Sequence, residues 1–510
     1  MTDIRSLEKS TTMRSLFGGG PVEEALSPDE KAELESASGE ARDRDLWDQE
    51  LVFASRPHTV YLQLSNFCNM SCIMCYDGSN PPLRKMPEDL VVKTADSFLR
   101  EASVVLPFVG SEPLVLTWET ARRLAQRYRV ELDIITNVQF LDERMFHELE
   151  PWVGRITFSI DSHVPEVFEK IRLGANANKV FRNLPVAARL CREHGIEAVL
   201  NIVLMSENAS MMPETIAYMA DLGIPTLHVL EYLDQVPGRE LLDPTRCFRP
   251  EYIDSIRQRC VEVAEEKRVL LIWEPGGNQV FDFRRGDDEF RTSKARDPFV
   301  WRLRYYLPGY CVQSVYSLKV EADGTVYPCC MAEGGQLALG NLKRRSAEEI
   351  WNGPEARELR RRMLTGEVPE ICRSCAPSAD RVGPRSELPF VWKVYSKLGC
   401  VPSDRGLEIE GPGHMTRHET PPTIRWRKPD RTVSRYLLVM ALGGESMHVE
   451  ELAIDGKATE FTLPSDCWQR LKGNFGYWWT LIGVNDKDPS KSLRSAKIHC
   501  MIRHQPIPAG

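Results

Sequence analysis

The sequence predicts an α/β chain in three parts: a partial (β/α)6 TIM-like barrel, then a small cysteine-rich α+β module, then a C-terminal all-β sandwich. Over residues 58–290, short β-branched runs alternate with amphipathic helical stretches, which is typical of a parallel sheet with helical crossovers. Cysteines replace this alternation in residues 291–390. After a linker rich in Pro and Gly at 391–420, residues 421–510 hold short strand-like runs separated by turn signals, as in a β-sandwich.

Residues 1–57 precede the barrel and are polar. The stretch "SPDEKAELESASGEARDRDLWDQEL" predicts one exposed helix that begins at Ser27-Pro28, because proline is favoured in the first turn of a helix. We therefore expect a surface arm that packs on the barrel.

Seven apolar runs in the barrel region predict its strands. Helical stretches such as "MPEDLVVKTADSFLREA" and "NKVFRNLPVAARLCREHG" lie between them. In barrels of this kind, chemistry collects at the carboxyl-terminal ends of the strands. The predicted strands are residues 59–64, 103–110, 130–136, 155–161, 196–205, 226–232 and 268–275.

Composition narrows the class of protein. The net charge of −8 over 510 residues is mild, which argues against bulk binding of nucleic acid. No apolar run reaches the roughly 20 residues of a membrane helix, and the N-terminus shows no signal peptide. We expect a cytoplasmic protein, in which the fourteen cysteines serve as ligands, catalytic groups or buried thiols rather than disulfides.

Three cysteines, Cys68, Cys72 and Cys75, stand close together in "LSNFCNMSCIMCYDG". On a helix this spacing would form one buried stripe. However, the segment follows a strand-like run and ends in the turn signal "DGSNPP", which favours a loop. Structural zinc needs four protein ligands. Three thiolates without a fourth fit an iron–sulfur cluster with one open coordination site.

This CxxxCxxC loop after the first strand resembles that of the radical S-adenosylmethionine (SAM) enzymes. The resemblance implies a [4Fe-4S] cluster on Cys68, Cys72 and Cys75, with SAM chelated by the open iron. One electron then cleaves SAM to methionine and a 5′-deoxyadenosyl radical, which abstracts hydrogen from a substrate. The cofactor carries this chemistry, and the protein supplies position and protection.

Two further segments resemble motifs of the same family. "FVGSEPLV" is similar to the GGEP motif, with a serine for the second glycine, and "TFSIDSHVPEVFEKIRLGAN" is similar to the fourth-strand segment. By resemblance, Glu112 holds the SAM amino group, Ser159 its ribose and Arg172 its carboxylate. A surface helix position is the alternative for Arg172. The implied SAM contacts are Gly110, Ser111, Glu112, Pro113, Ser159, Asp161 and Arg172.

The family often has an aromatic adenine contact just before the third cysteine. That place is Met74 here, and Tyr76 is the alternative. Likewise, "TNVQFLD" resembles the family's TNG segment, with Val138 in place of glycine.

A second cysteine set follows the barrel. CxxC pairs of this kind hold zinc or iron–sulfur clusters. The set resembles the SPASM and twitch modules of radical SAM enzymes, which implies one auxiliary [4Fe-4S] cluster. A zinc ribbon is the alternative for these residues. The implied ligands are Cys311, Cys329, Cys372 and Cys375, with Cys330 competing for the place of Cys329.

The leading hypothesis is a radical SAM oxidoreductase or epimerase that acts on a carbohydrate-like small metabolite. Glu231 and Glu274 end late strands and are candidate general bases. A flavodoxin or ferredoxin type protein is the expected electron donor, and the sandwich is read as an interaction domain. A radical SAM peptide maturase is the first alternative. A zinc-stabilised binding protein without catalysis is the alternative from another class.

Overall fold

The structure is a computed structural model, and its described residues form two compact units. The described residues of one unit fall within Met1–Gly39, Arg56–Asp297 and Tyr316–Ile350, and those of the other fall within Glu40–Ser55, Pro298–Val315 and Trp351–Gly510. The described residues are 25–47, 50–75, 83–107, 110–232, 238–275, 279–284, 311, 313–332, 334–365, 367, 369–373, 398, 402, 406–412, 416–442, 449–471, 476–495 and 498–502.

The first unit is built on one large sheet and one small strand pair. Its strands in chain order are β1 Thr59–Leu62, β2 Ser71–Cys72, β3 Val104–Leu106, β4 Glu131–Thr136, β5 Val153–Ser159, β6 Arg172–Leu173, β7 Glu197–Val203, β8 Thr226–Leu230, β9 Leu270–Trp273, β10 Gln279–Asp282, β11 Ser317–Val320, β12 Thr325–Tyr327 and β13 Gly340–Asn341.

The large sheet has the order β10-β9-β8-β7-β5-β4-β3-β1-β11-β12-β13. Its central strands, from β1 to β9, pair in parallel. All seven predicted strands are therefore confirmed, and they form the predicted partial barrel as an open sheet. Strands β2 and β6 pair with each other outside it.

Helices connect the parallel strands. Several begin at a polar residue whose side chain accepts a backbone hydrogen bond, such as Asp142 and Asn176, which satisfies a free N–H group of the first turn. The helices of this region are α1 Pro28–Trp47, α2 Glu88–Phe98, α3 Pro113–Leu116, α4 Trp118–Tyr128, α5 Glu143–Leu149, α6 Pro165–Ile171, α7 Ala177–His194, α8 Met212–Asp221, α9 Pro244–Cys247 and α10 Pro250–Lys267.

The predicted N-terminal helix is confirmed as α1. Its start is a capping box, because the Ser27 hydroxyl accepts from the Glu30 N–H while the Glu30 carboxylate accepts from the Ser27 N–H. The buried Lys31 ammonium donates to the backbone carbonyls of Leu99 and Arg100, at 3.2 and 3.1 Å. These carbonyls follow α2, so the beginning of the arm packs on the barrel as expected.

The cysteine-rich module shares the barrel's sheet. Strand β11 pairs in parallel with β1, and β12 and β13 continue antiparallel from it. Sequence reasoning treated the hairpin as a separate element, but the free edge of β1 provides a pairing partner for it. The later helices are α11 Gln313–Tyr316, α12 Ala347–Trp351, α13 Pro354–Thr365 and α14 Glu370–Arg373.

The second unit contains two further sheets, of three and six strands, that share one apolar core. Trp426, Tyr436 and Trp479 are fully buried in that core, and Trp468 enters it from the short helix α15 Ser465–Leu471. The strands are β14 Ile409–Gly411, β15 Arg417–His418, β16 Thr423–Trp426, β17 Arg435–Leu442, β18 Val449–Asp455, β19 Glu460–Thr462, β20 Gly476–Val484, β21 Leu493–Arg494 and β22 Ile498–Ile502.

These two sheets agree with the predicted sandwich, to which α15 adds one helix. None of the helices in the described ranges combines the length and the hydropathy that a membrane span requires.

Candidate functional site

A cavity of about 420 Å³ opens at the carboxyl-terminal edge of the parallel strands. Its walls come from the segments that follow β1 and β3 and from the ends of β4 and β5. All three cysteines of the first set, Cys68, Cys72 and Cys75, line it together with Met74. The strand order thus brings the loop and the predicted SAM contacts to one place.

Strand pairing gives the cysteine loop its shape. Cys72 lies in β2 and pairs with Arg172 of β6, so the helical alternative for the three cysteines is wrong. The Arg239 guanidinium donates to the Cys72 carbonyl at 3.4 Å and to the Ile73 carbonyl. The loop is therefore held from two sides before any cofactor binds.

One glycine allows the close approach of β6 to the loop. Gly174 has a φ of +90°, and a Cβ built on it would lie 3.3 Å from the Asn69 carbonyl oxygen. Both the left-handed backbone and the narrow gap favour glycine at this position.

Burial makes two of the loop thiols, those of Cys68 and Cys72, poor acids on their own. It raises the pKa of Cys68 to about 12 and raises the pKa of Cys72, which the nearby Arg172 charge opposes. Metal binding requires the thiolate and releases its proton, so a cluster on this loop would bind the cysteines with the loss of these protons. Within the described residues, no three His, Cys, Asp or Glu side chains gather closely enough to hold one metal ion. A cube does not need that arrangement, since its cysteines bind separate iron atoms.

Glu112 is a buried carboxylate in the wall of the cavity. It caps α3, and its oxygens accept from the Thr136 hydroxyl at 2.7 Å, the Asn137 N–H at 2.9 Å and the Leu114 N–H at 3.4 Å. Burial raises the pKa of Glu112 to about 7, although the hydrogen bonds lower it. The carboxylate is therefore positioned firmly, and no cationic side chain among the described residues forms an ion pair with it.

Arg172 lies at the cavity beside Cys72, so the surface alternative for it is wrong. Its Nε donates to Asp161 Oδ2 at 2.7 Å, with 9% and 0% of the two side chains exposed. The other Asp161 oxygen accepts from the Val203 N–H at 3.0 Å. One guanidinium nitrogen lies 3.8 Å from Cys72 Sγ. Burial lowers the pKa of Arg172, but the nearby negative charges, Asp161 first, together outweigh it and raise the pKa.

Two buried polar atoms at this site lack a hydrogen-bond partner among the described residues, namely the Ser111 hydroxyl and the Asn69 side-chain nitrogen. A buried polar group without a partner is costly. Ser111 lines the cavity, so its hydroxyl indicates a polar ligand there. Glu112 and Arg172 present opposite charges to the same cavity, which matches the amino and carboxylate ends of an amino acid. The residues present therefore fit SAM on a cluster-bearing loop.

The remaining predicted SAM contacts have different placements. Gly110 and Ser159 line the cavity, whereas Pro113 begins α3 and Asp161 lies behind Arg172. Tyr76 is outside the described residues.

The two predicted general bases also end strands, as expected. Glu231 directly follows β8 and Glu274 directly follows β9. Neither lines the cavity. Glu274 is hydrogen-bonded to His228 of β8, a residue that sequence reasoning missed.

The second cysteine set is only partly described. Cys329 and Cys330 follow β12 in the first unit, Cys311 and Cys372 belong to the second unit, and Cys375 is outside the described residues. The four described thiols are half-buried. Burial raises the pKa of Tyr61 on β1, and the adjacent Cys330, to which it is hydrogen-bonded, raises it further.

Thr136, Asn137 and Arg239 complete the site but were not predicted. The first two belong to the "TNV" segment at the end of β4, which is the signal that marks them. Arg239 comes from the segment between β8 and α9, and no local pattern in the sequence connects it to the cysteine loop.

Two domains of this chain match known families. Residues 62–219 match the Radical SAM superfamily, and residues 311–376 match an iron–sulfur cluster-binding domain, SPASM. The chain therefore carries a radical SAM domain and a SPASM-type module. The cofactors of these domains are SAM, the [4Fe-4S] cluster that binds SAM, and auxiliary iron–sulfur clusters.

Several proteins of known activity are similar to this radical SAM protein. The PqqA peptide cyclase of Gluconobacter oxydans is 29% identical over 346 residues, which cover 64% of this chain and 84% of that protein. The PqqA peptide cyclase of Xanthomonas campestris pv. campestris is 26% identical over 62% of this chain and 79% of its own. The GTP 3′,8-cyclase of Limosilactobacillus fermentum is 28% identical over 39% and 60%.

Solved structures with a similar fold include AdoMet-bound anSMEcpe, at 19% identity, a TM-score of 0.46 and coverage of 64% of this chain and 88% of that one. Streptococcus suis SuiB bound to S-adenosylmethionine gives 14% identity, a TM-score of 0.45 and coverage of 63% and 72%. The fold is assigned from the strand order of this chain and not from these similarities.

A Gly174→Ala substitution tests the packing of β6 on the cysteine loop. We expect a loss of roughly 1–2 kcal/mol of stability from the left-handed backbone, together with weaker SAM binding to the reconstituted protein. Gly195→Ala is the control, because Gly195 has a φ of +68° and open space around its Cβ position. Denaturation measures the stability of the two variants, and calorimetry measures their affinity for SAM. Equal SAM affinity in both variants would contradict a role of this packing in SAM binding.

An Asp161→Asn substitution tests the buried ion pair. It leaves the Arg172 guanidinium buried without its charge partner, which typically costs about 3–5 kcal/mol. The control is Glu193→Gln, since Glu193 pairs with Arg189 with 47% and 45% of the side chains exposed, and such pairs contribute at most about 1 kcal/mol. Urea denaturation should separate the two, and equal losses would refute the assigned importance of Asp161.

The raised pKa of Glu112 predicts a pH dependence. Between pH 4.5 and 7 the folded carboxyl keeps a proton that the unfolded chain loses, so the unfolding free energy of the ligand-free protein falls as the pH rises through this range. SAM binding should instead favour the ionised carboxylate. We expect affinity to fall by up to about tenfold from pH 8 to pH 6, measured by anaerobic calorimetry.

Glu112→Gln should bind SAM more weakly at pH 8 and lose this pH dependence. Glu119→Gln is the control, because Glu119 is 45% exposed and pairs with Arg122 on α4. A Glu112→Gln profile parallel to that of the wild type would assign the pH dependence to another group.

Proposed function

We propose that this chain is a radical SAM enzyme that modifies a peptide. The observation that carries the proposal is the convergence of Cys68, Cys72, Cys75, Glu112 and Arg172 on one cavity. A thiol triad beside a carboxylate and a guanidinium suits a cluster that binds the amino acid part of SAM.

The relatives support a peptide rather than a carbohydrate-like substrate. The alignment with the Gluconobacter peptide cyclase spans 346 residues and most of that protein's length, more than the 158 residues of the radical SAM match alone. The peptide alternative is thus better supported than the leading hypothesis of the sequence analysis. Bond formation within the peptide is the proposed outcome, in place of oxidation or epimerisation of a sugar.

Each group in the cavity wall has a proposed task. Cys68, Cys72 and Cys75 would hold the cluster, which together with SAM would supply the radical chemistry that removes a hydrogen atom from the substrate. Glu112 accepts hydrogen bonds from the SAM amino group, and Arg172 holds the carboxylate, oriented by Asp161. Ser159 faces the ribose, and Met74 packs on the adenine because its thioether is apolar and polarizable.

We further propose one auxiliary [4Fe-4S] cluster on Cys311, Cys372, Cys375 and either Cys329 or Cys330. Electrons would come from a protein of the flavodoxin or ferredoxin type. The zinc alternative predicts instead that these cysteines bind zinc and that SAM remains intact.

The first test is an anaerobic metal count with a cleavage assay. We expect about eight irons per chain for two [4Fe-4S] clusters, and 5′-deoxyadenosine on addition of SAM and dithionite. Replacing Cys68, Cys72 and Cys75 together by alanine should remove about four irons and abolish SAM cleavage. The control, Cys191→Ala with Cys260→Ala, removes two buried thiols that lie on helices α7 and α10 and should retain both. Zinc without iron, and no 5′-deoxyadenosine, would refute the proposal.

The substrate class needs a second experiment. Short peptides, particularly those encoded beside the gene, are compared with sugars and aminocyclitols for acceleration of 5′-deoxyadenosine formation, and products are analysed by mass spectrometry. A peptide that loses hydrogen mass supports the proposal, whereas acceleration by sugars alone would restore the carbohydrate hypothesis.

A further inference from the structure

A row of polar side chains extends from the cavity along the same face of the sheet. Ser159 of β5 is in register with Asn201 of β7, and Asn201 is in register with His228 of β8. Side chains in register on neighbouring parallel strands point to the same face. Ser159 lines the cavity, so this face of the sheet is the one on the cavity side. We call Ser159, Asn201, His228 and Glu274 the inner row.

The inner row leads away from the cavity. Neighbouring strands are about 4.8 Å apart, so His228 lies two strands, or roughly 10 Å, from Ser159. Glu274 follows β9, the next strand of the sheet. A substrate seated beside the cavity would contact this row.

His228 and Glu274 form a close pair at the end of the row. Their Nε2 and Oε1 atoms are 2.8 Å apart, with 23% and 12% of the side chains exposed. An ionised carboxylate oxygen can only accept a hydrogen bond, so Nε2 carries the hydrogen, and in the neutral imidazole Nδ1 is then the nitrogen with the lone pair. No described residue hydrogen-bonds Nδ1 of His228, the side-chain amide of Asn201 or the hydroxyl of Ser159.

We propose that His228 takes a proton from the substrate and that Glu274 is its positioning residue. The inference rests on the proposed function, because it supplies the proton acceptor of the same reaction. It also changes the role of Glu274, which the sequence analysis gave as a candidate general base. Glu274 hydrogen-bonds the imidazole and acts on the substrate only through His228.

The proposed step is a proton transfer alone. A bond between hydrogen and a substrate atom breaks, its electron pair stays on the substrate, and the proton forms a bond with Nδ1. The resulting imidazolium is stabilised by the Glu274 carboxylate and later returns its proton to water. No electron leaves the substrate in this step, so it needs no oxidant.

The kinetic test uses the reconstituted enzyme and the peptide that accelerates SAM cleavage. His228→Gln keeps an N–H donor toward Glu274 but has no basic nitrogen. We expect product formation to fall at least about 100-fold, the scale of general base catalysis, while 5′-deoxyadenosine continues to form at close to the wild-type rate. Glu274→Gln should also lower product formation relative to 5′-deoxyadenosine formation, but by less than His228→Gln does.

The matched control is His194→Gln. His194 Nδ1 also pairs with a carboxylate, that of Glu150 at 3.2 Å, but this pair joins α7 to the end of α5 in the helical layer. The His194→Gln substitution should leave the rates of product formation and of 5′-deoxyadenosine formation unchanged. If His228→Gln formed product at the wild-type rate, or if His194→Gln lost product equally, the proposal would be overturned.

A second measurement needs no substrate, so failure of the proposed function and failure of this inference remain distinguishable. In the cluster-loaded enzyme labelled with ¹⁵N-histidine, the signal absent from His228→Gln identifies residue 228. We expect hydrogen on Nε2 and a bare Nδ1 in the wild type, and a loss of this preference in Glu274→Gln. Hydrogen on Nδ1 would overturn the inference, whichever substrate the enzyme uses.

Discussion

The site depends on one buried ion pair, that of Arg172 with Asp161. Asp161 follows β5 and also accepts from the backbone of β7, while Arg172 forms β6 with Leu173 and pairs with the cysteine strand β2. The pair therefore connects two barrel strands to the loop that carries the thiols. Buried charges of this kind are costly unless every group finds a partner, so the surrounding backbone is constrained to one arrangement.

The hydrogen-bond partners of Glu112 likewise explain the properties of the opposite wall of the cavity. Glu112 is as buried as Asp161, yet its contacts are hydroxyl and N–H donors rather than a cation. Three donors position the carboxylate but leave its burial penalty only partly offset, which is why its pKa rises to about 7. A wall of fixed, incompletely neutralised groups is preorganised for a charged ligand and needs little rearrangement on binding.

Sequence reasoning identified the strands, the cysteine loop and the two segments that bring Glu112 and Arg172 to it. It did not find Arg239 or His228, because neither belongs to a local pattern. It also noted Val138 only as a departure from glycine. The structure shows why that position matters: Val138 has a φ of +69°, a conformation that is rare for a β-branched residue and that turns the chain directly after Asn137.

The sequence by itself determined the order of elements, since hydrophobic periodicity and cysteine spacing are properties of neighbouring residues. It also determined the chemical types that the site contains. Tertiary structure alone decided which of those groups meet. Arg172 lies 100 residues from Cys72, and Glu274 lies 46 residues from His228. Such contacts follow from strand order and register, which depend on the packing of the whole sheet rather than on any local sequence.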